Sequence, residues 1–189
     1  MIHVHAEVGK SIRSAMVNNM DEFKFNELTK EFITAYRQFL LCAYMHKDVT
    51  SEIYHRNKPT WDMIIRSLDL NSTLSLAKIF EKYKDIGRPF DDEKLNDTRK
   101  RILNFRDELI AHFDVDTLRN IDVFLKENRI YGTDGLLIIE ALKNRFLGFQ
   151  KSYKFRTDVE NLFRQTTNET VSDFNKWFSG FSQNGEGHA

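Results

Sequence analysis

Residues 21–46 read DEFKFNELTKEFITAYRQFLLCAYMH. Phe25, Leu28, Phe32, Tyr36, Phe39 and Ala43 recur there at steps of three and four. That spacing stacks side chains on one face of an α-helix, whereas a half-buried strand alternates residue by residue. The stretch predicts a long amphipathic helix from about Asp21 to His46, with this stripe turned to a core.

The same period continues on either side of the few breakers. Only two prolines, Pro59 and Pro89, and eight glycines punctuate the chain. Thr60 is positioned to cap a second helix that carries Trp61, Ile64, Ile65, Leu68, Leu76, Ile79 and Tyr83. The segment DIGRPFDD ends it. Phe90 before a capping Asp91 sets up a hydrophobic staple onto Leu95, and Asp92 and Glu93 suit the positive end of a helix dipole. A third helix therefore starts near Asp91 and carries Ile102, Phe105, Leu109 and Phe113. DVD at 114–116 interrupts the pattern, and a shorter helix with Leu118, Ile121, Phe124 and Leu125 follows. Thr133 and Asp134 open another long helix through Leu137, Ile138, Leu142, Phe146, Phe149 and Tyr153, reaching onward to Leu162 and Phe163. Val171, Phe174, Trp177 and Phe178 form a final short amphipathic segment.

The fold class that follows is all-α, an up-and-down helical bundle with additional C-terminal helices. Residues 1–19 read as an N-terminal extension, 20–182 as a single helical domain with its C-terminal helical extension, and 183–189 as a flexible tail. At 189 residues and 41% apolar composition the chain can bury one substantial core. Lys plus Arg and Asp plus Glu each number 28, so no global field draws it to nucleic acid or to an anionic membrane. Any such contact needs a local patch. One cysteine, Cys42, rules out an internal disulfide and a thiolate zinc site and fits a reducing cytoplasm. No apolar run is long enough for a signal peptide or a membrane span, so the expected location is cytoplasmic, with no membrane partner.

Most familiar chemical motifs are missing. GTDG at 132–135 lacks the lysine and spacing of a phosphate loop. His3 and His5 have no third ligand near them, and Asp91, Asp92 and Glu93 are explained as helix-start acids, so no metal and no cofactor is expected. What packing leaves over is FRDELIAHFD, residues 105–114. Phe105, Leu109 and Phe113 bury one face. Arg106, Asp107 and His112 remain. Arginine offers a permanently charged fork for a phosphate, and histidine moves a proton near neutral pH. Those are the functions needed to cleave RNA without a metal.

On one helix, six residues at about 100° each place Arg106 and His112 about 120° apart and about 9 Å along the axis. Either the helix bends near Ala111, or the arginine reaches around, or a second copy completes the site across a two-fold axis. The dimer is the most economical of the three. Glu108 shares a face with His112 and would raise its basicity. Arg99, Lys100 and Arg101 add a basic run on the same helix, as RNA phosphates require, although pairing such as Asp97 with Arg101 would make it a solvated face. Lys143, Arg145, Lys151, Lys154 and Arg156 form a looser second basic stretch. The aromatic stripes follow helical spacing and are assigned to the core rather than to base stacking.

The sequence R-D-E-L-I-A-H, an arginine, a polar residue directly after it and a histidine six positions on, late in a helix of an all-α chain, resembles the R-x(4–6)-H motif of the HEPN superfamily. With AHFD after it and LAKIFEKYKD before it, the chain looks most like the abortive-infection group, over residues 20–155. The resemblance implies a HEPN-like bundle and a metal-independent endoribonuclease, often a homodimer and often a toxin or phage-defence protein with an antitoxin partner. It makes Arg106 and His112 the catalytic pair, with Asp107 orienting or supporting them. Some relatives are non-catalytic interaction modules for a protein or nucleotide partner, and that is the alternative expectation.

Overall fold

The computed structural model describes residues 20–47, 51–111, 130 and 132–183. Helix α1 spans Glu22–Lys47, and Asp21 caps it, its carboxylate accepting the Lys24 N–H at 2.7 Å. Its buried residues include Phe25, Leu28, Phe32, Ala35, Phe39, Cys42 and Met45. The stripe thus steps by three and four along the helix, and Ala43, expected on it, is exposed. The expectation had drifted one step at Tyr36, which is half-buried on the stripe's edge.

After the short α2 (Glu52–Arg56), α3 runs Lys58–Lys82. Asn57 occupies the cap position and Pro59 lies inside the first turn. Thr60 is therefore not the cap. Proline has no N–H to leave unsatisfied and its fixed φ suits a helix start, so the helix begins before Pro59 rather than after it. Helix α4 (Lys84–Gly87) leads to α5, Glu93–Ala111. The α5 cap is Asp92, whose carboxylate accepts the Leu95 N–H at 2.8 Å, one residue beyond the expected Asp91.

Helix α6 covers Gly132–Tyr153 and α7 covers Val159–Gln183. The long helix does not continue to Phe163. Lys154 takes a left-handed φ of 54° and the Phe155 N–H turns back to the Gln150 carbonyl at 3.1 Å, which closes α6. Asp158 then restarts the chain by accepting the Asn161 N–H at 3.0 Å. The two C-terminal segments read separately are one helix. Leu137 and Tyr153, placed on the α6 stripe, are exposed. His112, the short helix over 118–125, the extension 1–19 and the tail beyond Gln183 lie outside the described residues.

Among the described residues all regular structure is helical, in seven helices, which is the expected all-α bundle. Helices α1 and α3 make an antiparallel hairpin: Glu31 pairs with Lys78 at 2.7 Å, and the Trp61 indole N–H reaches the Met45 carbonyl at 3.3 Å. Helix α7 runs parallel to α1, with Phe32 against Phe163 and Tyr44 against Phe174. The main core gathers Phe25, Phe32, Phe80, Ile102, Phe146 and Phe163 with their apolar neighbours from α1, α3, α5, α6 and α7. Phe32 stacks on Phe146 with ring centroids 4.8 Å apart and meets Phe163 edge-on at 5.0 Å. Aromatic pairs of this kind add about 0.5–1.5 kcal/mol each beyond their burial. A second cluster of Cys42, Met45, Tyr54, Trp61, Ile65 and Phe174 closes the other end. No helix among the described residues is long and apolar enough to cross a membrane.

Candidate functional site

Helix α5 buries Ile102 and Phe105 and is thereby fixed in rotation about its axis. A second face, stepping by four and three, carries Arg99, Leu103 and Arg106, and these three line one cleft of about 440 Å³. The opposite wall comes from the end of α3 with Phe80 and Glu81, and from α4 and the turn after it, with Lys84, Arg88 and Pro89. The cleft therefore has an apolar base around Leu103 and Pro89. Four cations and two carboxylates, Glu81 and Asp107, surround it.

Arg106 is the deepest of the expected catalytic groups described, with 18% of its side chain exposed. Its Nε donates to Asp107 Oδ1 at 3.0 Å, its Nη2 pairs with the same oxygen, and its Nη1 pairs with Glu81 Oε2. Asp107, and with it Glu81, holds the guanidinium above its ordinary range despite partial burial. Asp107, to which the resemblance gives a supporting role, is bonded to the Arg106 guanidinium. Glu81 was not anticipated. Its contact spans 25 positions of sequence, and no local pattern announces it.

Of the expected basic run, only Arg99 joins Arg106 in the cleft. Its Nε donates to the Gly87 carbonyl at 2.7 Å and its guanidinium lies 5.6 Å from the Phe80 ring centroid, while burial pulls its pKa down. Lys100 points away and pairs with Asp97 at 3.3 Å. Arg101 is not paired with Asp97, as helical spacing had implied. It bonds Asp134 on α6 at 2.7 Å, and Lys94 joins the same carboxylate at 3.0 Å.

Arg145, from the second basic stretch, works behind the cleft. It donates to the carbonyls of Ile86, Arg88 and Pro89 at 2.6, 2.6 and 2.8 Å. It therefore shapes the turn that presents Arg88. Burial first, and then repulsion from Arg88 and Arg99, push Arg145 down to about 10. Such crowding of guanidinium groups marks a positive local potential in a chain with no net charge. Glycine is required at position 87, because a Cβ there would stand 2.5 Å from the Phe80 Cα. Among the described residues no group of three or more His, Cys, Asp or Glu could hold a metal ion. Comparison with family models, with curated proteins and with solved structures finds no match.

Proposed function

We propose that the chain is a metal-independent endoribonuclease of HEPN type, acting as a toxin or phage-defence protein, with Arg106 and His112 as its catalytic pair. The observation that carries this reading is the cleft: a carboxylate-supported arginine, three further cations and an apolar base in one recess. A phosphodiester fits the guanidinium fork of Arg106, a neighbouring phosphate fits Lys84 or Arg88, and a base can lie against Leu103 and Pro89. In the reaction His112 takes the proton of a ribose 2′-hydroxyl, and the oxygen attacks the adjacent phosphorus. The bond from phosphorus to the 5′-oxygen breaks and that oxygen takes a proton from an imidazolium, the proton that His112 gained or that of His112 in the second subunit, leaving a 2′,3′-cyclic phosphate and a 5′-hydroxyl. Arg106 stabilises the charge on the phosphorane oxygens. The six-residue spacing of Arg106 and His112 in the sequence, read at helical period, supports an Arg106 of one subunit acting with His112 of a second, so the proposed active form is a homodimer.

The alternative is a non-catalytic helical module that binds a protein or nucleotide partner. It draws support from the engagement of Arg106 by two carboxylates, an arrangement that also serves a purely structural arginine. One experiment separates the two: cleavage of single-stranded RNA in EDTA by the natural chain, Arg106→Ala and His112→Ala, with folding checked by circular dichroism. Cleavage abolished in both variants supports the enzyme. Cleavage that survives His112→Ala overturns the site, and none by the natural chain favours the binding module.

A further inference from the structure

We infer that Glu81 is an internal competitor for the RNA phosphate: its carboxylate occupies Nη1 of Arg106 in the cleft that both residues line, and substrate must displace it to bind. The identity of the displacing anion rests on the ribonuclease reading above, whereas the displaceable ion pair rests on the geometry alone.

The two carboxylates on Arg106 are not equivalent. Asp107 is its neighbour on the same helix and takes the Nε and Nη2 edge. Glu81 comes from α3 across the cleft and takes Nη1. Carboxylate and phosphate present matching oxygen acceptors to a guanidinium, so the group already seated there defines where a phosphate oxygen would sit. Exposure separates the arginine from both carboxylates: the Arg106 side chain is 18% exposed, against 61% for Glu81 and 62% for Asp107. What makes Glu81 the displaceable one is its single contact from another helix, whereas Asp107 holds two nitrogens from the neighbouring position.

Helix electrostatics give no other reason for Glu81. It stands one residue before the end of α3, where a negative charge opposes the helix dipole. Its contribution must come from across the cleft. Once displaced it has Lys84 on the same rim as a second cation. The arrangement lowers affinity for any weakly bound anion and leaves the cleft to ligands that contact several of its cations together, as a nucleic acid backbone does.

The test is binding of a fluorescein-labelled, 2′-O-methylated 12-nucleotide RNA, which cannot be cleaved, to the full chain by anisotropy at fixed salt. An exposed pair of this kind is worth enough that Glu81→Gln should tighten binding about 3- to 5-fold. Glu81→Asp keeps the net charge but shortens the reach, and should tighten it about 2-fold by the same reasoning; it also covers the case in which Glu81→Gln does not fold. Glu169→Gln, an equal loss of charge on α7, should leave binding unchanged. In an Arg106→Ala background, Glu81→Gln should gain nothing. Unchanged or weaker binding by both Glu81 variants, or an equal gain without Arg106, overturns the inference. Tighter binding by Glu81→Gln with no cleavage of ordinary RNA by the natural chain would keep the competitor and remove the ribonuclease. Cleavage with no effect of Glu81 on binding would do the reverse.

Discussion

The guanidinium of Arg145 lies 3.6 Å from the centroid of the Phe90 ring and donates to the carbonyls of Ile86 in α4 and of Arg88 and Pro89 in the turn after it. One side chain from α6 thus satisfies carbonyls that a short helix would otherwise leave without partners. Arg145→Ala should remove these bonds and the contact with Phe90, while water takes over the exposed carbonyls of Arg88 and Pro89, lowering stability by about 1–3 kcal/mol. Arg145→Lys keeps a charge but not the planar fork, and should recover less than half of that loss. Urea denaturation of the three proteins measures both. An Arg145→Ala change within about 0.5 kcal/mol of the natural chain would show that the turn holds itself.

Gly87 makes a second demand on the same turn. An added Cβ would meet the Phe80 carbonyl oxygen at 2.5 Å and the Ile79 carbonyl oxygen at 2.7 Å, and both are backbone atoms that cannot rotate aside. Gly87→Ala should therefore cost about 2–3 kcal/mol, of the size found for overpacking. Because Arg99 bonds the Gly87 carbonyl, the same change should move the cleft wall. RNA affinity of the folded variant should fall even at temperatures well below its melting point, a fall that a stability effect alone does not produce.

Much of this was legible in the sequence, for a physical reason. Phe25, Leu28 and Phe32 repeat at helical spacing because they must face one core, so period alone reported the helix and its buried side. Boundaries were less legible where competing local signals coexist. Pro59 reads as a breaker from sequence, yet in a first turn it is harmless, and α3 starts before it. Tyr153 and Leu162 share a helical period, but the left-handed Lys154 divides them. For the site, Arg106 and Asp107 stood out because they are adjacent. Glu81, Lys84 and Arg88 did not, since only the packing of the end of α3, of α4 and of the turn after it against α5 carries them to the cleft. Arg101 shows the opposite error: local spacing offered Asp97, and tertiary structure supplied Asp134.

The Asp134 node should make stability depend on acid. Hydrogen bonds from Arg101, then Lys94, hold its carboxyl below the ordinary value of 3.8. A depressed folded value means that the contribution is fully present above about pH 4 and is lost as pH falls through the folded value. With both cations more than a third exposed, the amount is about 0.5–1 kcal/mol. Asp134→Asn should therefore be less stable than the natural chain at pH 7, and the gap should narrow as pH falls below about 4. A difference that persists unchanged at pH 2 would assign it to packing rather than charge.

Arg106→Lys is the sharpest probe of the proposed chemistry, because it retains the charge in the cleft and removes the fork. RNA cleavage in EDTA should fall about 100-fold, while binding of uncleavable RNA should weaken by less than about 10-fold. Such a split would place the guanidinium on the transition state. Equal losses in both would mean that Arg106 only holds the ground-state phosphate.

Of the two tryptophans of the chain, Trp61 lies in the smaller cluster and Trp177 packs on it from outside, with ring centroids 5.1 Å apart. Intrinsic tryptophan emission therefore reports on that end of the bundle, while far-ultraviolet circular dichroism reports on all of it. Helices α1 and α3 run unbroken through both clusters, so the two ends should unfold together and the two signals should give one denaturation midpoint. Trp61 is 1% exposed and bonds the Met45 carbonyl, so Trp61→Phe should lose that bond and leave space unfilled, at about 1–3 kcal/mol. Trp177, at 36% exposure, should tolerate the same change with under about 1 kcal/mol lost. In Trp61→Phe the remaining emission comes from Trp177, and its midpoint should move to lower urea together with the dichroism midpoint. An emission midpoint that moves alone would show that the smaller cluster opens as a separate unit.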